Sequence, residues 1–217
     1  MKDAIKNKNF NLGTTYTIGS YILPGPMREY IDNSTEGDLK VSIKSCTHVV
    51  EEVKSGKLDL GLIETPTFHK DVMAQEWLDN ELVICSKQKL PPYIDKDELS
   101  QFNIICQPES SPIQKLINKF LTQFNIDSGI FNSTTQVDNT TATIQSVKWT
   151  RPNIENPTIT IVSPLTIEDE VRREELFISR IRDHEMHHKF YIVYHKKNPI
   201  PVIQNLIDEL LKYKKAY

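Results

Sequence analysis

Residues 12–24, LGTTYTIGSYILP, hold the reading on which the rest of the chain depends. Leu12–Ile18 has the character of a short strand. A polar turn follows, then a helix that Ser20 is placed to cap and that tolerates Pro24 near its start. A helix that begins at a strand end points its free backbone N–H groups into the space beyond the strand. The positive end of its dipole points the same way, which makes a cradle for a small anion. The design recurs at Val41–Thr47 and at Ile104–Ser111.

Working outward, Leu39–Ser45 alternates apolar and polar residues as a strand does, after a turn at Gly37–Asp38. Thr47 is the expected N-cap of the next helix, whose inner face is Val49, Val50 and Val53, and Gly56 is its left-handed C-cap. The apolar run Leu58–Glu64 (LDLGLIE) then reads as a buried parallel strand that closes a βαβ unit. Met73–Leu78 and Glu81–Ser86 are expected as two strands around an Asp79–Asn80 turn. Leu90–Pro91–Pro92 is the clearest break, and a domain crossing is expected near it.

A second α/β set follows. Phe102–Cys106 is a strand, Gln107–Pro112 a polar turn, and Ile113, Leu116, Ile117, Phe120, Leu121 and Phe124 repeat at helical spacing. Phe131–Val137 and Thr158–Val162 read as strands, and Asn139 caps a threonine-rich helix. Pro164–Phe177, acidic early and basic late, predicts one more helix. Ile178–Ile181 and Phe190–Tyr194 read as strands. Ile203, Leu206, Ile207, Leu210 and Leu211 line a last helix, and Lys212, Lys214 and Lys215 suit the end of its dipole. The order implies two parallel-sheet lobes with a cleft between them. Ligands of open α/β sheets sit beyond the carboxyl ends of the strands. Here those ends are Thr14–Thr15, Ser45–Thr47, Ile63–Thr65 and Gln107–Ser111, rich in hydroxyl groups and suited to a small polar ligand.

Composition narrows the function classes. The 217 residues are 38% hydrophobic and 25% charged, as in a folded soluble protein, and the net charge of −3 argues against a nucleic-acid-binding surface on this chain. Three scattered cysteines, Cys46, Cys85 and Cys106, make neither a disulfide framework nor a cysteine-rich zinc site, and point to a reducing cytoplasm. The start lacks a signal-peptide core, and no apolar run approaches the ~20 residues that span a bilayer. No membrane contact is therefore expected.

The residues above resemble a known family. TIGxYxLP in the opening stretch, then VSIKSCTHVVEEVKSGKLDLGLIETP with its threonine after the second strand and GxLDLGLIExP, look like the effector-binding domain of LysR-type transcriptional regulators. FNIICQPESSPIQKLINKFL resembles the family's second-subdomain strand, serine-bearing turn and helix. HKFYIVYHKKNP and the final helix resemble its return strand and closing helix. The resemblance runs from about Leu12 to Tyr213. One departure is VKWTRPNIENPTITIV, which lacks the glycine the family has before the matching strand.

The resemblance implies an α/β, two-lobe periplasmic-binding-protein-like (type II) fold with an interlobe cleft. Residues 12–88 and 191–217 would form subdomain I and residues 89–190 subdomain II, with residues 1–11 a linker remnant. It further implies a small-molecule effector, a homodimer or tetramer, and DNA contact only through a helix-turn-helix domain absent from this chain, which is expected to be an excised effector domain. Carried onto this sequence, the effector-binding residues are Thr14 and Thr15 at the first turn and Thr47 at the second helix. Glu64 at the third strand's end, and Ser110 with Ser111 in the second subdomain, complete the set.

Two other classes stand beside this one. A periplasmic solute receptor would share the fold but should carry a secretion leader. His184–Glu185–Met186–His187–His188 matches the H-E-x-x-H zinc pattern, which needs both histidines on one helical face. Its flanks are strands, so a surface loop is expected there. Cys46 beside Thr47 reads as a small buried residue rather than a redox sensor. No nucleophile–base pair or phosphate-binding glycine loop is apparent. No catalytic residue, cofactor or metal is therefore expected.

Overall fold

The computed structural model describes residues 10–33, 38–65, 69–197 and 201–212. Most of the expected linker remnant, the Gly37 turn and the lysines at 214 and 215 lie outside them, as do the side chains of residues 29–33, 201–203 and 205. Strand β1 is Phe10–Thr14, and after a π-helical segment, Ile18–Ile22, comes α1, Pro24–Asn33. Then follow β2 Leu39–Ile43, α2 Cys46–Lys54, β3 Leu60–Ile63 and β4 Val72–Ser86. The next elements are β5 Tyr93–Ile94, a 3-10 turn Lys96–Gln101, β6 Asn103–Cys106, α3 Pro112–Gln123, β7 Ser133–Gln136 and α4 Thr140–Lys148. The chain closes with β8 Thr158–Val162, a 3-10 turn Pro164–Thr166, α5 Glu168–Arg172, β9 Phe177–Ile181, β10 Met186–His195 and α6 Pro201–Lys212.

The chain divides into two compact units: residues 1–80 with 188–217, and residues 81–187. It passes between them inside β4, at Asn80–Glu81, and inside β10, at His187–His188. The subdomain limits expected from sequence, 88/89 and 190/191, fall a short way beyond these two passages.

In unit 1, β1 pairs in parallel with β2 and with β3, and β10 runs antiparallel beside β3. The sheet is therefore mixed, not purely parallel as the sequence suggested. Helix α2 lays Val49, Val50 and Val53 on this sheet against Leu58, Ile63, Val72 and Val193, all buried. Gly56 ends the helix at φ +74°, the left-handed cap expected of it. The Trp77 indole N–H donates to the Leu210 carbonyl at 2.6 Å and satisfies a carbonyl in the last turn of α6, a contact with no sequence signal.

Unit 2 repeats the plan. Strand β6 pairs in parallel with β7 and β8, the latter half of β4 lies antiparallel between β8 and β9, and β5 lines the edge beside β9. Leu82, Ile84, Ile104, Ile159 and Ile161 of the sheet meet Ile117 and Leu121 of α3 in a buried core. Asn139 caps α4 as expected, its Oδ1 accepting from the Ala142 N–H at 2.9 Å.

Some expected elements differ. Met73–Leu78 and Glu81–Ser86 are one strand, because Asn80 is buried with its amide against the His188 ring at 3.3 Å instead of turning the chain. The helix expected over Pro164–Phe177 shrinks to α5. Ile167 at φ −130° opens it, and Glu174, at φ 56°, stops it. Glu81 and Arg180 close a neighbouring part of unit 2 with a two-pronged ion pair, Nε–Oε1 at 2.9 Å and Nη2–Oε2 at 2.8 Å.

Candidate functional site

Strand β1 ends earlier than Leu12–Ile18 suggests, at Thr14, and the chain is already helical at Tyr16. Ser20 therefore lies inside the helical segment and is not its cap. Pro24 and Pro26 have no N–H to give the carbonyls of Ser20 and Ile22. The preceding turn widens, and the Leu23 N–H reaches back five residues to the Ile18 carbonyl at 2.8 Å.

The turn itself is tightly wired. The Thr15 N–H donates to the Leu62 carbonyl at 3.1 Å, the Thr15 carbonyl accepts from Gly19 N–H at 2.9 Å, and the Thr14 carbonyl accepts from Lys44 N–H at 2.9 Å. Thr14 is wholly buried, and its hydroxyl donates to the Thr15 carbonyl at 3.2 Å. Thr15, 8% exposed, donates its hydroxyl to Glu64 Oε1 at 3.0 Å. Strand pairing brings these together, since Thr14 sits opposite Leu62 and the ends of β1 and β3 are neighbours.

Glu64 also accepts from the hydroxyl and the backbone N–H of Thr17, a residue the sequence reading did not single out. A carboxylate of the chain itself thus sits where the helix start offers its donors. Burial pushes the Glu64 carboxyl above the ordinary carboxylate range. The Thr17 and Thr15 hydroxyls, and then the Thr17 N–H, pull it back only in part. A carboxyl whose folded value exceeds its unfolded one favours folding while protonated, and that advantage is lost as pH rises through the folded value. The melting temperature of Glu64→Gln should therefore gain on the parent's between acid and neutral pH. A difference that is flat or shrinks with rising pH would remove this account of the carboxyl.

At the second turn the cap is Ser45, not Thr47. Its Oγ accepts from the His48 N–H at 3.3 Å, which leaves Thr47, one residue inside α2, exposed. The residue before a helix, in extended backbone, is the one whose oxygen can reach the N3 amide. Cys46 opens α2, only partly buried, with its thiol donating to the Thr65 carbonyl at 3.4 Å.

In unit 2, Ser110 is exposed and Ser111 precedes α3. The Ser111 hydroxyl donates to Gln107 Oε1 at 2.8 Å, and the Gln107 amide donates to Thr140 Oγ1 at 3.1 Å. The buried Gln114 accepts from the Gln107 N–H at 3.2 Å and donates to Asn118 at 2.8 Å. Gln107, Gln114 and Thr140 form a network missed from sequence. Its one visible signal was the polar turn at a strand's carboxyl end.

The H-E-x-x-H stretch does not form the helix that zinc chemistry needs: His184 and Glu185 lie in the expected loop, between β9 and β10, but the loop ends there. Met186–His188 begin β10, and His188 is partly buried against Asn80 and Phe190. Among the described residues, no group of three or more histidine, cysteine or acidic side chains is arranged to hold a metal ion, and no helix is long and apolar enough to cross a membrane.

Comparison with known proteins places this geometry. A probable RuBisCO transcriptional regulator from Thalassiosira pseudonana is 26% identical over 133 residues, which are 57% of this chain and 43% of that protein. The chain thus matches less than half the length of such relatives. The effector-binding domain of QuiR in complex with shikimate superposes with a TM-score of 0.72 at 18% identity, covering 96% of this chain and 97% of QuiR's. The regulatory domain of Synechocystis PCC6803 CcmR in complex with 2-PG does so with a TM-score of 0.75 at 18% identity, covering 95% and 97%. These likenesses identify the fold as the type II periplasmic-binding-protein-like fold of such domains. The LysR substrate binding domain profile matches residues 6–215, nearly end to end, and the chain belongs to that family.

Proposed function

We propose that this chain is the effector-sensing domain of a LysR-type transcriptional regulator and that it binds rather than transforms its ligand. The observation that supports this reading most is the family match over residues 6–215, joined to a hydroxyl-bearing turn at a strand's carboxyl end in each unit. Unit 1 offers Thr14, Thr15, Thr47 and Glu64, and unit 2 offers Ser110 and Ser111. Of these, Thr47 and Ser110 are exposed residues. The Thr15 and Ser111 hydroxyls donate to Glu64 and Gln107, and each still has oxygen lone pairs with which to accept.

The effector is a small polar molecule, as the hydroxyl-rich turns require. It acts by differential affinity for two arrangements of the domain, worth ~1–3 kcal/mol in typical allosteric proteins. In the whole regulator, a homodimer or tetramer, that shift is passed to a DNA-binding domain outside this chain. A thermal-shift screen with amino acids, small carboxylates, inorganic oxyanions and polyols tests the reading. A stabilising compound should bind at least ~10-fold more weakly to Thr15→Ala and to Ser110→Ala, one hydrogen bond to a ligand being worth about that factor. Equal binding by both variants would refute the site.

A further inference from the structure

Glu64 stands on the donors that would otherwise receive an anion. Its carboxylate accepts from the Thr15 hydroxyl at 3.0 Å, and from both the hydroxyl and the backbone N–H of Thr17. These are the groups a helix start uses to hold a ligand's carboxylate or phosphate. An anionic ligand arriving here meets donors that the Glu64 carboxyl already occupies. That is an element by which a site rejects a ligand class.

A carboxylate's two oxygens have room for about four hydrogen bonds, and three are accounted for. Among the described residues, no fourth donor reaches the carboxylate. We propose that Glu64 fills the anion cradle of unit 1 and sets the effector's chemical class: the ligand presents a hydroxyl or ammonium group to Glu64, and no anionic group docks at the Thr15–Thr17 turn. The inference rests on the effector-sensing reading given above and names the ligand class for that same site. Its local cause is one residue of sequence. The glutamate follows β3 directly, and β3 pairs in parallel with β1, so its side chain reaches the turn without any long loop.

Inorganic phosphate is the direct probe, because it needs no knowledge of the effector. Parent, Glu64→Gln and Glu64→Ala are titrated with phosphate and with a C2–C5 dicarboxylate series, and with the twenty amino acids as donor-bearing compounds, by thermal shift and calorimetry. The parent should show no Thr15-dependent binding of phosphate or dicarboxylate. Glu64→Ala, which vacates the turn, should bind phosphate at least ~10-fold more tightly than the parent, and Thr15→Ala in that background should remove the gain. Any donor-bearing compound that stabilises the parent should lose at least ~10-fold in affinity with both Glu64 variants.

Phosphate or dicarboxylate binding to the parent in a Thr15-dependent way overturns the proposal, and so does a Glu64→Ala variant that gains no phosphate affinity. Circular dichroism of both variants guards against misfolding, and Glu64→Gln keeps the side chain's shape should the alanine variant fail to fold. A failure of the effector-sensing reading shows elsewhere, as equal binding by Thr15→Ala and Ser110→Ala, and leaves the phosphate result to be read separately.

Discussion

Phe190→Ala should lower the stability of the domain by ~3–5 kcal/mol, the range for deleting a buried phenylalanine. Phe190 is 1% exposed and the largest fully buried side chain described. It lies in β10, the strand that returns the chain to unit 1, and its ring meets the His188 ring edge-on at 5.1 Å between centroids. Truncation removes the ring's transfer energy and that aromatic contact together, and leaves a cavity beside a strand that cannot close over it. For a chain of this size, ~4 kcal/mol corresponds to a fall in melting temperature of about 10 °C. Phe190→Leu keeps most of the volume and should cost far less. Melting of Phe190→Ala within a degree or two of the parent would show that the ring is not a core group.

The parts of the fold that were legible in sequence are those where local pattern and tertiary environment agree. The 3,1,3,1,3 spacing from Ile113 to Phe124 became α3, with Ile117 and Leu121 buried. The β-branched run Thr158–Val162 became β8 without change. What was not legible depended on contacts distant in sequence. The Asp79–Asn80 pair carries a turn composition, yet a histidine 108 positions away satisfies the Asn80 amide and the strand runs on. The cap of α2 fell on Ser45 and not Thr47 because capping depends on backbone conformation, and Ser45 is the residue held extended at ψ 153°.

The first turn shows the same limit at the proposed site. Its composition announced a helix start rich in donors at Ser20, and the structure begins the helix earlier, at Tyr16. Composition alone did not show that Thr17 joins Thr15 in binding Glu64, because that depends on the pairing of β1 with β3. Likewise the polar turn before α3 was visible, but its Gln107–Gln114–Thr140 wiring joins three separate elements.

Gly61→Val should be the second most damaging substitution, at about 3 kcal/mol, the upper end of the cost of overfilling a packed core. A Cβ at Gly61 would lie 2.5 Å from Val49 Cγ1 and 2.6 Å from Val193 Cγ2, distances that side-chain carbons do not sustain. Both valines are fully buried and stiff about their first torsion, so neither can swing aside. Val193 is the direct cross-strand partner of Gly61, and Val49 comes down from α2, so the missing side chain lets the helix settle onto β3. Gly61→Ala should already cost ~1–3 kcal/mol. Val49→Ala clears one of the two contacts, and in the double variant it should return about 1 kcal/mol as a coupling energy measurable by chemical denaturation. Strict additivity of Gly61→Ala and Val49→Ala would mean that helix α2 does not rest on this glycine, and that the apolar run around it is held by the sheet alone.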